Sequence, residues 1–294
     1  MHPAPSIIVF TVFSGLGLGQ LFWLGTVRRD LAGWDALPFF AVAFTLTTIG
    51  LVASTFHLGN PQRSLRAFTQ WRSSWLSREA CLAAITFALM AADAAGRIFF
   101  QQSTYLLGLV GACMALLTVF ATSMIYVQLK TVPRWNHWNN SLLFILFALT
   151  GGAALSGNSV LLGFLLLVSM VQIINWRIGD RSFSSREHTI ASATQLGYLG
   201  KVRLLESPHS GTNYLLKEMV FHIGRKHAQK LRLIALVCLG PVPMLIILLL
   251  PQQIIASIMA TSIHLLGAVV SRWLFFAQAE HVVGLYYDQH KTTA

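Results

Sequence analysis

Charge is scarce in this chain and leans to one sign: of 294 residues only 11% are charged, with 21 Lys and Arg against 10 Asp and Glu for a formal net charge of +11. A water-soluble domain carries about 25% charged residues. With 55% hydrophobic residues and a mean hydropathy of +0.62, this composition excludes one. Cysteine is sparse as well. Cys81, Cys113 and Cys238 fall singly in apolar stretches with no C-x-x-C or Cys/His pair, so the chain offers no thiolate set for an iron–sulfur cluster or a structural zinc. A basic chain raises nucleic acid as a partner. Here the basic residues sit in connections between apolar stretches, where they set topology beside anionic headgroups, and nucleic acid is not expected.

Apolar runs longer than about 18 residues, enough to cross a roughly 30 Å hydrocarbon core as a helix, recur instead. They read as spans over 6–27, 37–56, 80–101, 105–128, 141–157, 159–176, 232–250 and 253–276. The first lacks a basic n-region and a small-residue cleavage site, so it is expected to stay as a span. Gly151-Gly152 and Gly157-Asn158 leave open one long kinked element in place of the fifth and sixth, giving seven or eight spans. The fold class is all-α, a polytopic membrane helix bundle with eight transmembrane helices. Residues 1–294 read as a single integral membrane domain, with a polar loop at 57–79 and a long polar connection at 177–231.

Orientation follows from Lys and Arg. Seventeen lie on the side that holds both termini and the connections 57–79, 129–140 and 177–231, against Arg28 and Arg29 on the other. Without the long connection the short loops still divide seven to two, which places the termini and the 57–79 loop in the cytoplasm. The long connection has the Ser, Thr, His and Gly content of a water-facing segment. Its end, Glu218 to Arg232, alternates apolar and basic positions at helical spacing. That pattern suits an amphipathic lead-in lying on headgroups better than a dedicated partner-recognition helix.

The loop after the second span is denser in chemistry. His57 follows the edge of the hydrocarbon, Arg63, Arg66, Arg72 and Arg78 accompany Trp71 and Trp75, and Glu79 opens the third span. Interfacial anchoring accounts for tryptophans beside arginines. It does not account for His57 and Glu79. A histidine exchanges a proton near neutral pH and a partly buried carboxylate is held proton-competent, so the pair, brought together if spans two and three pack side by side, suits a group whose reduction consumes protons, such as a quinone. From the residues alone a structural hydrogen-bonded cluster is an equal alternative.

His57-Leu58-Gly59-Asn60-Pro61-Gln62-Arg63, followed by Trp71-Arg72-Ser73-Ser74-Trp75-Leu76-Ser77-Arg78-Glu79, resembles the signature loop of the dimethyl sulfoxide reductase anchor-subunit family (DmsC-like), and the eight-span layout matches over nearly the whole chain. Asn213-Tyr214, Glu218-Met219 and Arg225-Lys226-His227-Ala228 resemble the branch found with membrane-bound sulfite dehydrogenases (SoeC-like). The resemblance implies an eight-helix bundle that binds quinone, ubiquinone or menaquinone, and docks an iron–sulfur subunit serving a molybdopterin catalytic subunit. It implies His57 and Glu79 at the quinone site, with Trp71, Arg72, Trp75 and Arg78 matching the loop motif.

Other polar positions read as structure. Glu79, Thr86, Asp93 and Arg97 share one helical face of the third span, and Asp93 and Arg97 at i, i+4 favour an intrahelical ion pair, with Arg97 reaching the far interface, over a proton route. Only His264 sits well inside a span, so the two axial histidines of a membrane haem are not supplied, haem is not expected, and His264 reads as a hydrogen-bonded core residue. Gly15 and Gly19 form a small-xxx-small contact, and Pro241 and Pro243 kink the seventh span. The reading is a membrane anchor of an oxidoreductase complex, without molybdenum of its own, passing electrons and protons between the quinone pool and an iron–sulfur partner in a bacterial cytoplasmic membrane. A sulfite dehydrogenase reducing quinone is the expected assembly. The alternatives are a secondary transporter, an anchor oxidising menaquinol as in dimethyl sulfoxide reductase, and a pure anchor.

Overall fold

Side chains that cannot be hydrated must be buried against lipid or against each other, and the computed structural model resolves which do what. It describes all residues except 29, 57–59, 103, 158, 187–188, 207–226, 251–252 and 288–294. Eight of its helical segments are long and apolar enough to cross a membrane. They are α1 (Pro5–Thr26), α2 (Leu37–Thr55), α3 (Trp75–Phe99), α4 (Tyr105–Val127), α5 (Trp138–Leu155), α6 (Leu161–Ser182), a broken span made of α7 (Ala228–Leu239) and α8 (Pro241–Leu249), and α9 (Gln253–Ala277). The chain is a multi-pass membrane protein. The fifth and sixth spans are separate helices, divided by a turn in which Gly157 takes a left-handed φ of +60°.

The first helix is the axis of the bundle. It packs against α2, α4, α5 and α9 and is the most thoroughly buried span, whereas α7 and α8 form an outer face. Close approach of α1 to α5 depends on glycine at one crossing: a Cβ on Gly19 would run into the Ala148 carbonyl, and one on Gly152 into the backbone of Gly19. Gly15, expected to share that contact, has nothing within 4 Å of where its Cβ would be. The small-residue contact is thus Gly19 with Gly152, because α1 meets α5 one turn further along than the 15/19 spacing suggested.

Two helices extend beyond the hydropathy windows. The third begins at Trp75 rather than near residue 80, which carries Arg78 and Glu79 into its first turns, and α6 runs to Ser182 because Arg177 and Arg181 continue it into the interface. The seventh span breaks at Gly240 (φ −133°, ψ −68°), with Pro241 at the first position of α8, where its missing N–H costs nothing. The break is packed on Leu165 and Ser169 of α6.

Asp93 and Arg97 form the expected pair, at 3.3 Å, but Arg97 does not reach for the interface. It is 1% exposed and turns inward to cap the end of α1, donating to the carbonyls of Leu24 (2.8 Å), Leu31 (3.0 Å) and Arg28, while Thr104 donates to Asp93 (2.8 Å). The orphan carbonyls of a helix C-terminus and the following turn offer more acceptors than the headgroup region at that depth.

At the other end of the bundle the Met1 ammonium donates to the Ala279 carbonyl (2.8 Å) and the amide of Val282 to the Thr131 carbonyl (3.0 Å). The N-terminus, the 129–137 connection and the end of α9 therefore share one face. Arg28, on the carbonyl of Ser156, marks the opposite face.

Candidate functional site

A carboxylate in the first turns of a membrane helix either stays at the headgroups or must be given partners. Glu79 takes the second course. It is 4% exposed, turned towards α4, and accepts a hydrogen bond at Oε1 from the Thr122 hydroxyl, which also donates to the Thr118 carbonyl (3.0 Å). Two turns further along α3, the hydroxyls of Thr86 and Thr118 meet at 3.2 Å, so the seam between α3 and α4 is a line of polar contacts inside an apolar layer.

Glu79 also borders a cavity of about 730 Å³. Its walls are Thr48 on α2, Ser64 and Phe68 on the 3-10 helix Pro61–Phe68, Glu79 and Phe87 on α3 and Tyr126 on α4. The cavity exists because α2 packs chiefly on α1 and α3 chiefly on α4, with sparse contact between α2 and α3. Spans two and three therefore do not pack side by side as the sequence suggested; they flank a gap lined mainly by apolar side chains. A few polar groups in an otherwise apolar, roomy cleft are the usual make-up of a small-molecule site.

The loop residues divide. Arg78 donates to the carbonyls of Trp71 (3.0 Å) and Arg72 (2.7 Å) and lies 4.3 Å over the Trp75 ring, fastening the loop to the start of α3. Arg72 lies 5.7 Å over the ring of Trp71, which is 57% exposed, and Trp75 makes an edge contact with Phe120 at 5.9 Å. Of these candidates Glu79 alone lines the cavity; Trp71, Arg72, Trp75 and Arg78 form a clasp beside it. His57 lies outside the described residues, as do Asn213, Tyr214, Glu218, Met219, Arg225 and Lys226.

Several contributors were not legible in the sequence. Thr122 and Tyr126 sit in an apolar span with nothing to mark them. Arg272 is one of two arginines inside a span and is 5% exposed; its guanidinium lies 3.7 Å over the Phe144 ring, with Phe147 and Phe275 at 5.5 and 5.3 Å. Its position in the last turns of α9, still within the apolar run, was the available signal. At the face holding the N-terminus, Asp180 joins Arg134 to Arg232, which reaches both carboxylate oxygens at 2.6 and 2.7 Å. Burial pulls Arg134 below the ordinary guanidinium range, and the Asp180 carboxylate offsets it.

His264 is the core residue expected, 2% exposed with Nδ1 2.8 Å from the Leu239 carbonyl. Among the described residues no three His, Cys, Asp or Glu side chains converge as a metal-binding group. His137, before α5, is held below the ordinary imidazole range by burial and then by the charge of Arg186.

Comparison with known proteins gives three findings. Residues 1–278 match the family described as DMSO reductase anchor subunit (DmsC). The chain is 30% identical to a sulfite dehydrogenase subunit of Allochromatium vinosum over 98% of its own length and 99% of that protein. It is 28% identical to the anaerobic dimethyl sulfoxide reductase chain YnfH of Escherichia coli over 51% of its length and 55% of that protein. No solved structure matches it.

Proposed function

The chain belongs to the DMSO reductase anchor-subunit family, and we propose that it is the quinone-reactive anchor of a bacterial inner-membrane complex, passing electrons between the quinone pool and an iron–sulfur subunit that serves a molybdopterin subunit. Sulfite oxidation coupled to quinone reduction is the reaction favoured, since the sulfite dehydrogenase subunit of Allochromatium vinosum matches over nearly both full lengths. The termini and the 57–79 loop lie on the cytoplasmic side in this reading, which follows the Lys and Arg distribution.

The observation that carries the proposal is the placement of Glu79, a buried carboxyl on the wall of a mostly apolar cavity between α2 and α3. The cavity fits a quinone: Phe68 and Phe87 offer ring surfaces, Tyr126 and Glu79 offer polar groups, and about 730 Å³ accommodates a substituted ring with part of its tail. A bound quinone supplies two-electron chemistry coupled to two protons. Thr122 occupies Oε1 of Glu79 and leaves Oε2 as the atom that gives or takes a proton at the cavity. His57, by the loop motif, is the second proton-exchanging group, and Arg78 fixes the loop that carries it by fastening Trp71 and Arg72 to α3. Trp71, Arg72, Trp75 and Arg78 serve the site by holding this loop.

The test uses the assembled complex. His57→Ala and Glu79→Gln are expected to leave assembly and dye-linked turnover intact while quinone-linked turnover per complex falls by about 10²–10⁴, the usual contribution of a positioned proton donor. Normal quinone turnover in both variants rejects the site and leaves a purely anchoring role.

A further inference from the structure

Most charges buried in or bordering this bundle are matched: Asp93 has Arg97 inside it, and at the face holding the N-terminus Asp180 has both Arg134 and Arg232. Among the described residues two buried groups stand apart. Glu79 has no cation within ion-pair distance among the described residues; its bonded partner is Thr122. Arg272 has neither a carboxylate nor a hydrogen-bond acceptor in contact among the described residues, and rests on the faces of three phenylalanines. Ring faces attract the guanidinium but accept no N–H hydrogen bond, so aromatic stacking replaces only part of the hydration that burial removes from Arg272.

The two unmatched charges are connected. Thr122, which holds Glu79, also lines a small cavity of about 20 Å³ on its other side, and Arg272 lines that same cavity together with Ser14 of α1 and His264. A second cavity of similar size, lined by Gln172, Asn175 and Ser271, lies against Arg272 on the side towards Arg134. Each has room for about one water; the first is walled mostly by apolar side chains, with Thr11, Ser14, Thr122, His264 and Arg272 as its polar groups, and the second is more evenly mixed. Tyr126, which borders the large cavity with Glu79, lies within electrostatic reach of both Glu79 and Arg272. The titratable and charged groups around the two are therefore Tyr126 from α4, His264 from α9 itself, and Arg134 beyond the second cavity.

We propose that Arg272 is the counter-charge of Glu79: acting through Thr122 and across the small cavity that Thr122 and Arg272 both line, it stabilises the carboxylate left when Glu79 has given up its proton, and so sets the pH range over which Glu79 exchanges protons with the large cavity. The inference rests on the reading of that cavity as a quinone site. Arg272 is a positioning residue, since it touches neither the cavity nor anything bound in it. The step it governs is a proton transfer alone: the carboxyl O–H of Glu79 breaks, an O–H forms on the quinone oxygen, and the electrons come from the iron–sulfur partner; in the reverse direction Glu79 regains the proton.

The test is an infrared titration of the carboxyl C=O band in the purified complex freed of quinone, the band being assigned by its loss in Glu79→Gln. In Arg272→Met, which keeps the apolar stem and removes the charge, the band should persist to a pH about one unit higher than in the parent. A shift of about one unit is the scale of one partly screened charge acting through a low-dielectric interior. Arg272→Lys should return the midpoint most of the way. Arg272→Gln, neutral and of similar size, decides the matter if Arg272→Met fails to assemble, whereas Thr122→Val raises the midpoint in any case by removing a hydrogen bond to the carboxylate. An unchanged midpoint in Arg272→Met, or in Arg272→Gln where that variant stands alone, overturns the proposal. Quinone-linked turnover of Glu79→Gln separates the two claims: if it stays normal the quinone reading fails, whereas if it collapses while the midpoint ignores Arg272, only this inference fails.

Discussion

Removing the guanidinium of Arg97 should unfold the far end of the bundle without touching quinone chemistry. Arg97 donates to the carbonyls of Leu24, Leu31 and Arg28 and to the Asp93 carboxylate, and the pair is 1% and 0% exposed at its side chains. Arg97→Met keeps an apolar side chain of similar reach and deletes all four interactions, together with the seat of the guanidinium over the Phe40 ring at 5.1 Å. A hydrogen bond to a charged group contributes about 1.5–3 kcal/mol, and breaking one partner out of a buried ion pair costs about 3–5 kcal/mol because the other charge is stranded. Asp93 retains its bond from Thr104, which holds the expected loss near 3–5 kcal/mol rather than at the sum of the parts. Asp93→Asn combined with Arg97→Met should cost less than the two single losses added, with a coupling of about 1–3 kcal/mol. The assay is a denaturing-detergent titration of the purified protein in mixed micelles, read by helical circular dichroism, beside quinone turnover per assembled complex. A loss below about 1 kcal/mol refutes the clamp. Stability intact with quinone turnover reduced as in Glu79→Gln would instead make Asp93 and Arg97 a proton route.

Reporter fusions at Ala294 and beside Gln252 should report opposite sides of the membrane, with Ala294 inside; an active periplasmic phosphatase at Ala294 would invert the topology. At the α1–α5 crossing, Gly152→Leu should prevent accumulation of folded protein or cost more than about 3 kcal/mol, because the added side chain meets the Gly19 backbone, whereas Gly15→Ala should be neutral or slightly stabilising. Equal effects of the two in a stability titration would discount the crossing. His137 has a folded pKa below its unfolded value, so the unfolded state binds more protons and stability should fall as pH drops through the ordinary imidazole range near 6.5. His137→Gln should flatten that part of a melting-temperature profile, and an unaltered slope between about pH 7 and 5.5 would show that the imidazole stays as solvated as in the unfolded chain.

What was legible in the sequence was what hydropathy and charge encode directly. The eight spans, the polar loop and Glu79 at the head of the third helix follow from run lengths and from a carboxylate placed beside an apolar run. The break at Gly240 followed from proline lacking an N–H. Which helices touch was not legible, because all eight apolar surfaces look alike to a lipid tail, and in a bilayer packing is decided by small residues and polar seams rather than by hydrophobicity. Hence Gly19 meets Gly152 while Gly15, expected to share its contact, has no neighbour within 4 Å of its Cβ position, and α2 stands apart from α3 to leave the cavity on which the proposed site depends. Thr122 and Tyr126 are ordinary in sequence and acquire roles through their distance from Glu79, a distance fixed by the α3–α4 seam.

The buried arginines show how partner type separates structure from chemistry in such a bundle. Arg97 is enclosed by a carboxylate and by backbone carbonyls at the end of α1, which are fixed acceptors that no reaction alters; its free energy is constant through a catalytic cycle. Arg232 shares Asp180 with Arg134 at the membrane face, where water screens the charges and the pair ties α6 to the start of α7. Among the described residues Arg272 has only aromatic faces and two small cavities beside it, so the charge proposed to answer it is one that appears and disappears. In the proposed role Glu79 is such a charge, neutral when protonated and anionic once its proton has gone to the cavity, and the resulting attraction strengthens in just the state that an apolar cavity disfavours. A cation left unmatched by fixed partners is thereby coupled to protonation, and the coupling is strongest where hydrocarbon keeps the dielectric low.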